Sequence, residues 1–168
     1  MRKEIYKELT DLLLDRYKIV NGVRTLLTED ETETHRNCPS VIQHVDLWNN
    51  NIEFLDQEDV WDRPAVFVEF GKISWEHECG RDMLRGRGTV ILHVVTDWDG
   101  SSSASSVMRD KSLEVFDMLS DLEKLLDDFC GSCFSHLTLL ESQTNHNHDA
   151  LLENIEVFIY KGWKRMTV

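Results

Sequence analysis

Residues 64–70 (PAVFVEF) and 88–98 (GTVILHVVTDW) decide the fold of this chain. Both segments are rich in β-branched and aromatic residues, which favour strands. Apolar residues fill both alternating positions of VILHVV, a pattern typical of a strand covered on both faces. The polar connection between the two segments carries several arginines, and we expect residues 73–87 to form a projecting β-hairpin.

Two amphipathic helices are predicted around these strands. The first covers residues 1–17 and places on one stripe Ile5, Leu9, Leu12, Leu13 and Tyr17. The second has apolar residues at steps of three or four, and it ends before Gly131. Its predicted buried stripe consists of Leu113, Phe116, Leu119, Leu122, Leu126 and Phe129. Both helices are expected to pack on the sheet.

Further strands are predicted at residues 41–47, 134–142 and 155–163 from their alternating or β-rich composition. The fold class is therefore α+β, a single domain over residues 1–168. We expect a mixed or antiparallel sheet of about four to six strands with one projecting hairpin. Residues 19–40 are polar and are predicted to form a loop or a mobile excursion.

The charge of the chain bears on its partners. The formal net charge is −13, from 31 acidic and 18 basic residues. Such a surface disfavours specific nucleic-acid binding, although it would let DNA pass without sticking. Solubility alone explains the acidity equally well. No apolar run approaches the roughly 20 residues of a membrane helix, and the start MRKE does not resemble a secretory signal. We therefore expect no membrane partner and reduced cysteines.

Two groups of residues invite a metal interpretation. Cys130 and Cys133, with His136 close by, have the spacing of half a zinc site, but structural zinc normally takes four ligands. The other candidates for completing such a site are His77 and Cys79. Free thiols packed near a turn are the favoured interpretation.

The second group lies in the segment NHNHD. His146 and His148 share one face of an extended segment, where Glu141 or Asp149 could join them on a metal. A hydrogen-bonded turn is the favoured interpretation here as well. We therefore predict no metal site.

Catalytic signatures are also weak. Asp62, Glu69 and Lys72 are similar to the core of a restriction-type nuclease, but the Glu-x-x-Lys spacing places Lys72 on the wrong face of a strand. There is no G-x-S-x-G motif and no phosphate-binding glycine loop. We predict that the protein is not an enzyme, with no catalytic residue and no cofactor.

The hairpin supplies the candidate functional residues. Tryptophan and arginine dominate the energetics of protein–protein interfaces. We therefore predict an oligomer interface formed by Trp75, Arg81, Arg85, Arg87 and Trp98. An acidic partner surface is available in residues 114–128 or 29–33 of a second copy.

The layout of helix, paired central strands, lone amphipathic helix and two closing strands resembles the tail-terminator (tail-completion) proteins of long-tailed bacteriophages. The strings HVDLWNNNIEF, RPAVFVEF, LHVVTDW and ESQTNHNHD are similar to those of small Bacteroides-type prophage proteins. The resemblance covers residues 1–163, with residues 19–40 as an addition. It implies a ring, usually of six copies, that caps the tail tube and contacts the head connector, without enzymatic activity or cofactor.

The resemblance leads to an expected function and location. We expect a virion structural protein, found in the virion and the host cytoplasm, whose partners are its own copies, the tail tube and the head connector. Two alternatives remain open. One is another neck, connector or adaptor protein; the other is a metal-dependent hydrolase using Glu69, Asp97 or residues 146–149.

Overall fold

The protein is described from a computed structural model covering residues 1–52, 61–77, 82–98, 100–127, 129–145 and 150–166. Its elements, in chain order, are α1 (Arg2–Arg16), β1 (Tyr17–Val20), β2 (Val23–Leu26), α2 (Glu29–Thr32), β3 (His44–Leu47), β4 (Ala65–Phe70), β5 (Ser74–His77), β6 (Met83–Asp97), α3 (Arg109–Leu126), β7 (Thr138–Asn145) and β8 (Leu151–Arg165). The predicted α+β fold class is confirmed.

A six-stranded mixed sheet forms the centre of the fold. The strand order is β3-β4-β6-β8-β7, with β5 also paired to β6. β3 and β4 run parallel, and the other pairs are antiparallel. β6 and β8 pair along their whole length, from Met83 opposite Arg165 to Asp97 opposite Leu151.

The long β6–β8 pair extends beyond β3 and β4, and beyond the last β7 pair, which is Thr138 opposite Ile159. β4 pairs only with residues 90–95 of β6, whereas β5 pairs with residues 84–87. We call the extension the arm: β5 with residues 83–89 of β6 and 159–165 of β8. At about 3.3 Å per residue, this stretch of β6 spans about 20 Å. The two strands of the predicted hairpin therefore form the outer part of the arm, and residues 78–81 lie outside the described residues.

The main hydrophobic core lies between the two long helices and one face of the sheet, which we call the front face. α1 contributes Ile5, Leu9 and Leu13, all fully buried. The sheet contributes side chains from three strands, and α3 adds its inward stripe. These are Val66, Val68, Val90, Leu92, Val94, Phe158 and Tyr160 from the sheet, and Met118, Leu119, Leu122, Leu125 and Leu126 from α3.

The opposite, back face of the sheet carries a second, smaller core around Phe67, which is fully buried. Ile52 and Trp61 cover it, with Trp48 packed at its edge. Because Val94 belongs to the front core and Val95 to the back core, β6 is covered on both faces here. The prediction made from VILHVV is therefore confirmed over this part of the strand.

Residues 19–40 differ from the predicted loop. β1 and β2 form a two-stranded hairpin, joined by a turn in which Asn21 and Gly22 both have positive φ, 52° and 80°. Asn-Gly is the preferred pair for such a turn because both positions need φ above zero. The hairpin is tied down by hydrogen bonds such as Ile19 N to Pro39 O at 2.8 Å. The short helix α2 then follows.

The buried stripe predicted for the second helix is wrong in the first turns of that helix. Leu113 and Phe116 point outward, at 38% and 46% exposure. The inward positions at this end of α3 are Ser112 and Met118, which are buried. The helix also ends at Leu126, so Phe129 lies beyond it. α3 therefore presents two apolar side chains on the outside of the molecule.

Candidate functional site

Three of the five predicted interface residues lie on the arm, but Trp75 is on its front face and Arg85 and Arg87 are on its back face. Trp75 is paired with Gly86, between Arg85 and Arg87, in the β5–β6 register. Arg81 lies outside the described residues. Trp98 follows the far end of β6, eleven positions beyond Arg87, which corresponds to about 36 Å along the strand. The structure therefore does not bring Trp98 to the arginines.

Two glycines of β6 allow aromatic rings to lie flat on the front of the arm. A Cβ at Gly86 would come within 2.9 Å of the Trp75 ring, and one at Gly88 within 2.7 Å of the Tyr160 hydroxyl oxygen. No sequence motif assigns these two glycines a role. Because any larger residue would displace the rings, they fix which side chains cover the front of the arm.

The back of the arm collects its basic side chains. Arg87 is paired with Lys161 and Arg85 with Trp163 across β6 and β8. Residues directly opposite each other in a ladder lie on the same face of the sheet, so these four side chains share the back face. One carboxylate joins them there, since Glu76 of β5 is opposite Arg85.

These side chains line a shallow groove. One part, of about 510 Å³, lies between Glu76, Arg85, Lys161 and Trp163. An adjoining part of about 380 Å³ shares Arg87 and Lys161 and adds Lys72 and Ile159 among its lining residues. We call the two parts together the basic groove.

The basic groove is both charged and apolar. Trp163 and Ile159 are 39% and 40% exposed. Arg87 and Lys161 are exposed, and neither has an ion-pair partner among the described residues. Exposed aromatic and aliphatic surface beside arginines is the composition of a protein–protein interface core. A small concentration of positive charge in a chain of net charge −13 points to an acidic partner surface.

On the front of the molecule, α3 presents a surface that is acidic and also carries exposed apolar side chains. Leu113 and Phe116 are flanked by the exposed carboxylates of Asp110, Glu114 and Asp117. Asp110 is partly neutralised by Arg109, whose Nε lies 3.5 Å from Oδ1. We call this set the outer face of α3. Leu113 and Phe116 therefore give the outer face of α3 exposed apolar surface beside its carboxylates.

A second unusual cluster lies on the back face, near the small core. His93 is buried, with Nδ1 at 2.7 Å from Glu153 Oε1 and Nε2 at 3.0 Å from Glu69 Oε2. Asn145 Nδ2 donates to Glu153 Oε2 at 2.7 Å. Trp48 stacks on the imidazole with ring centroids 3.8 Å apart and planes 1° apart.

This arrangement limits what His93 can do. Both ring nitrogens are engaged by carboxylate oxygens. No ring nitrogen remains to accept a proton from a substrate. Glu69 and Glu153 lie on opposite sides of the ring, so they do not converge on one ion. The cluster holds the two carboxylates together across the sheet and fastens Trp48 over it.

The residues considered for metal or hydrolase chemistry are scattered or outside the described chain. No group of three or more metal-ligating side chains comes together within the described ranges. Cys130 is exposed, whereas the Cys133 thiol lies 3.8 Å from the Met1 carbonyl oxygen. Asp97 accepts a hydrogen bond from Arg63 at 2.6 Å. Cys79, His146, His148 and Asp149 lie outside the described residues.

Half of the basic groove is not predictable from local sequence patterns, and of the His93 cluster only Glu69 is a candidate on the sequence alone. Lys161 and Trp163 belong to a predicted strand, but no local pattern shows that they face Arg85 and Arg87. His93 stands inside an apolar run, where a polar residue at a buried position is itself a signal that a partner is needed.

No protein-family model and no curated protein sequence matches this chain.

Among the described residues, no helix is both long enough and apolar enough to cross a membrane.

Proposed function

We propose that this chain is a structural subunit that assembles with copies of itself, as a tail-terminator ring at the head-proximal end of a phage tail. The observation that carries self-assembly is the basic groove, because it joins exposed Trp163 and Ile159 to Arg85, Arg87 and Lys161 in a strongly acidic chain. The phage tail as the setting rests on the sequence resemblance.

The composition of the groove supports a contact with another acidic protein. Opposite charges steer encounters and fix the register of neighbouring subunits, whereas buried aromatic and aliphatic side chains supply most of the affinity. A copy of the same chain, with net charge −13, satisfies the charge requirement. The same charge over the rest of the surface would repel DNA passing through a central hole.

The test is the mass of the purified chain across a concentration series, measured by light scattering, with negative-stain images of any large species. We expect a closed ring with a central hole. The matched variants are Arg85→Glu/Arg87→Glu in the groove and Arg36→Glu outside it. Arg36 is 75% exposed in its side chain and pairs only with Glu33 among the described residues.

The outcomes separate the parts of the proposal. Loss of assembly in the groove variant, with normal assembly of Arg36→Glu, supports the groove as the contact surface. Normal assembly of both variants would show that the contact lies elsewhere. A wild-type chain that stays monomeric at every concentration would overturn self-assembly.

A further inference from the structure

We propose that the basic groove receives the outer face of α3 from the next copy, so that subunits join head to tail. This inference rests on the proposed self-assembly and names the two surfaces that meet. Three properties of the surfaces support it: shape, distribution of apolar side chains, and charge.

The shapes are complementary. The groove spans β5, β6 and β8, which at about 4.8 Å per strand gives a width of about 10 Å between the outer strands. Ser135, from the turn beside β8, extends the lining further. An α-helix with its side chains is about 10–12 Å across. A single exposed helix therefore matches the width of the groove.

The side chains of the two surfaces are also complementary, apolar against apolar and acidic against basic. On the helix, Phe116 and Leu113 would lie against Trp163 and Ile159 of the groove, burying apolar surface on both partners. On the flanks of the same helix, Glu114 and Asp117 are exposed carboxylates. They are the counterparts of Arg87 and Lys161, the exposed cations at the junction of the two parts of the groove.

The other candidate acidic surface, around residues 29–33, fits less well. Glu29 of α2 and the α1 carboxylates Glu8, Asp11 and Asp15 line a groove of their own, of about 510 Å³. No large exposed apolar side chain is present among its lining residues. Residues 29–33 themselves carry no large apolar side chain, and a contact through charges alone is worth little in solution. We therefore favour α3 over residues 29–33.

The positions of the two surfaces determine the type of assembly. α3 covers the front face of the sheet, whereas the basic groove is on its back face. Each copy would thus offer one surface on each side, and the contact is heterologous. Repeated heterologous contacts give a ring if the rotation closes and a filament if it does not.

The experiment uses two complementary variants. Arg87→Glu/Lys161→Glu disables the groove and leaves α3 intact; Phe116→Lys/Asp117→Lys disables the helix surface and leaves the groove intact. All four positions are exposed, so both variants should fold, which circular dichroism and thermal melting would verify. Glu29→Lys/Asp30→Lys is the matched control on the rival surface.

We expect each of the two disabled variants to remain monomeric where the wild type assembles. Mixed in equal amounts, they should form a species of twice the monomer mass and no larger, because only one intact groove and one intact helix surface meet. The control on α2 should assemble normally.

Other outcomes refute the inference in distinct ways. If the helix variant assembles alone while the groove variant does not, α3 is not the occupant although self-assembly stands. If the α2 control fails to assemble and the helix variant succeeds, the occupant is the α2 surface. If the wild type and the mixture of the two variants are both monomeric, the head-to-tail contact is refuted together with self-assembly.

Discussion

Replacing His93 with leucine should destabilise the fold severely, because the buried Glu153 carboxyl would lose the imidazole nitrogen that lies 2.7 Å from its Oε1. The Glu153 side chain is 5% exposed and that of His93 is 7% exposed. Removing one partner of a buried ion pair typically costs about 3–5 kcal/mol. Loss of the stack on Trp48 adds about 0.5–1.5 kcal/mol. Asn145 still donates to Glu153, which keeps our expectation near about 4 kcal/mol.

The two carboxylates provide an internal comparison. Glu69 is 42% exposed, so its bond to His93 is screened by water and should contribute about 1 kcal/mol or less. Glu69→Gln is therefore the mild variant. In a double-mutant cycle, His93→Leu/Glu153→Leu should be less destabilised than the sum of the single changes, by up to about 3 kcal/mol.

The assay is equilibrium urea unfolding followed by far-ultraviolet circular dichroism, since tryptophan fluorescence would respond directly to the loss of the stack on Trp48. A fall in the midpoint at constant slope reports the change in the free energy of unfolding. A loss below about 1 kcal/mol for His93→Leu, with an unchanged slope, would refute the account of the cluster. So would additive effects of His93→Leu and Glu153→Leu.

Three further changes test other parts of the fold. Burial raises the pKa of the Glu156 carboxyl above its ordinary value of 4.5, so ionisation of this group destabilises the fold as pH rises through the raised value. The variant Glu156→Gln should therefore melt at a higher temperature than the wild type at pH 7 and lose this advantage at pH 4. A lower melting temperature of the variant at pH 7 would contradict this expectation. Gly22→Ala should lower the free energy of unfolding in urea by about 1 kcal/mol, because Gly22 has a φ of +80°. No atom lies within 4 Å of the new Cβ, so the cost comes from the backbone conformation alone. An unchanged free energy of unfolding would be evidence against the turn. Tyr17→Phe removes the hydrogen bond that the hydroxyl of the buried Tyr17 donates to Asp121 Oδ2 at 3.0 Å, and it should lower the free energy of unfolding by about 1 kcal/mol. An equal or higher stability of the variant would show that this bond contributes nothing.

The sequence predicted the elements whose signal is local and periodic. α1 was found because its four buried residues repeat at helical spacing, and β4 because its run of β-branched residues is short and dense. The Asn21-Gly22 turn was equally readable, but the polar residues around it hid the short hairpin. Local pattern is therefore sufficient where one stretch of chain determines its own structure.

The candidate surfaces required information that no local pattern carries. Arg87 and Lys161 are 74 positions apart, and only the β6–β8 register places them side by side. The periodicity of α3 likewise could not show that Leu113 and Phe116 belong to its outside. His93 finds its two carboxylates on different strands for the same reason.

The unbroken ladder of β6 and β8 has a mechanical consequence. Fifteen paired positions run from the core to the end of the arm, with no register shift between them. The arm therefore has no joint at its base, and bending it would mean bending the sheet itself. Adjacent strands in a sheet are rotated by about −20 to −25° relative to each other. The twist of β6 against β8 would therefore set the direction in which the basic groove faces relative to the core of its own subunit.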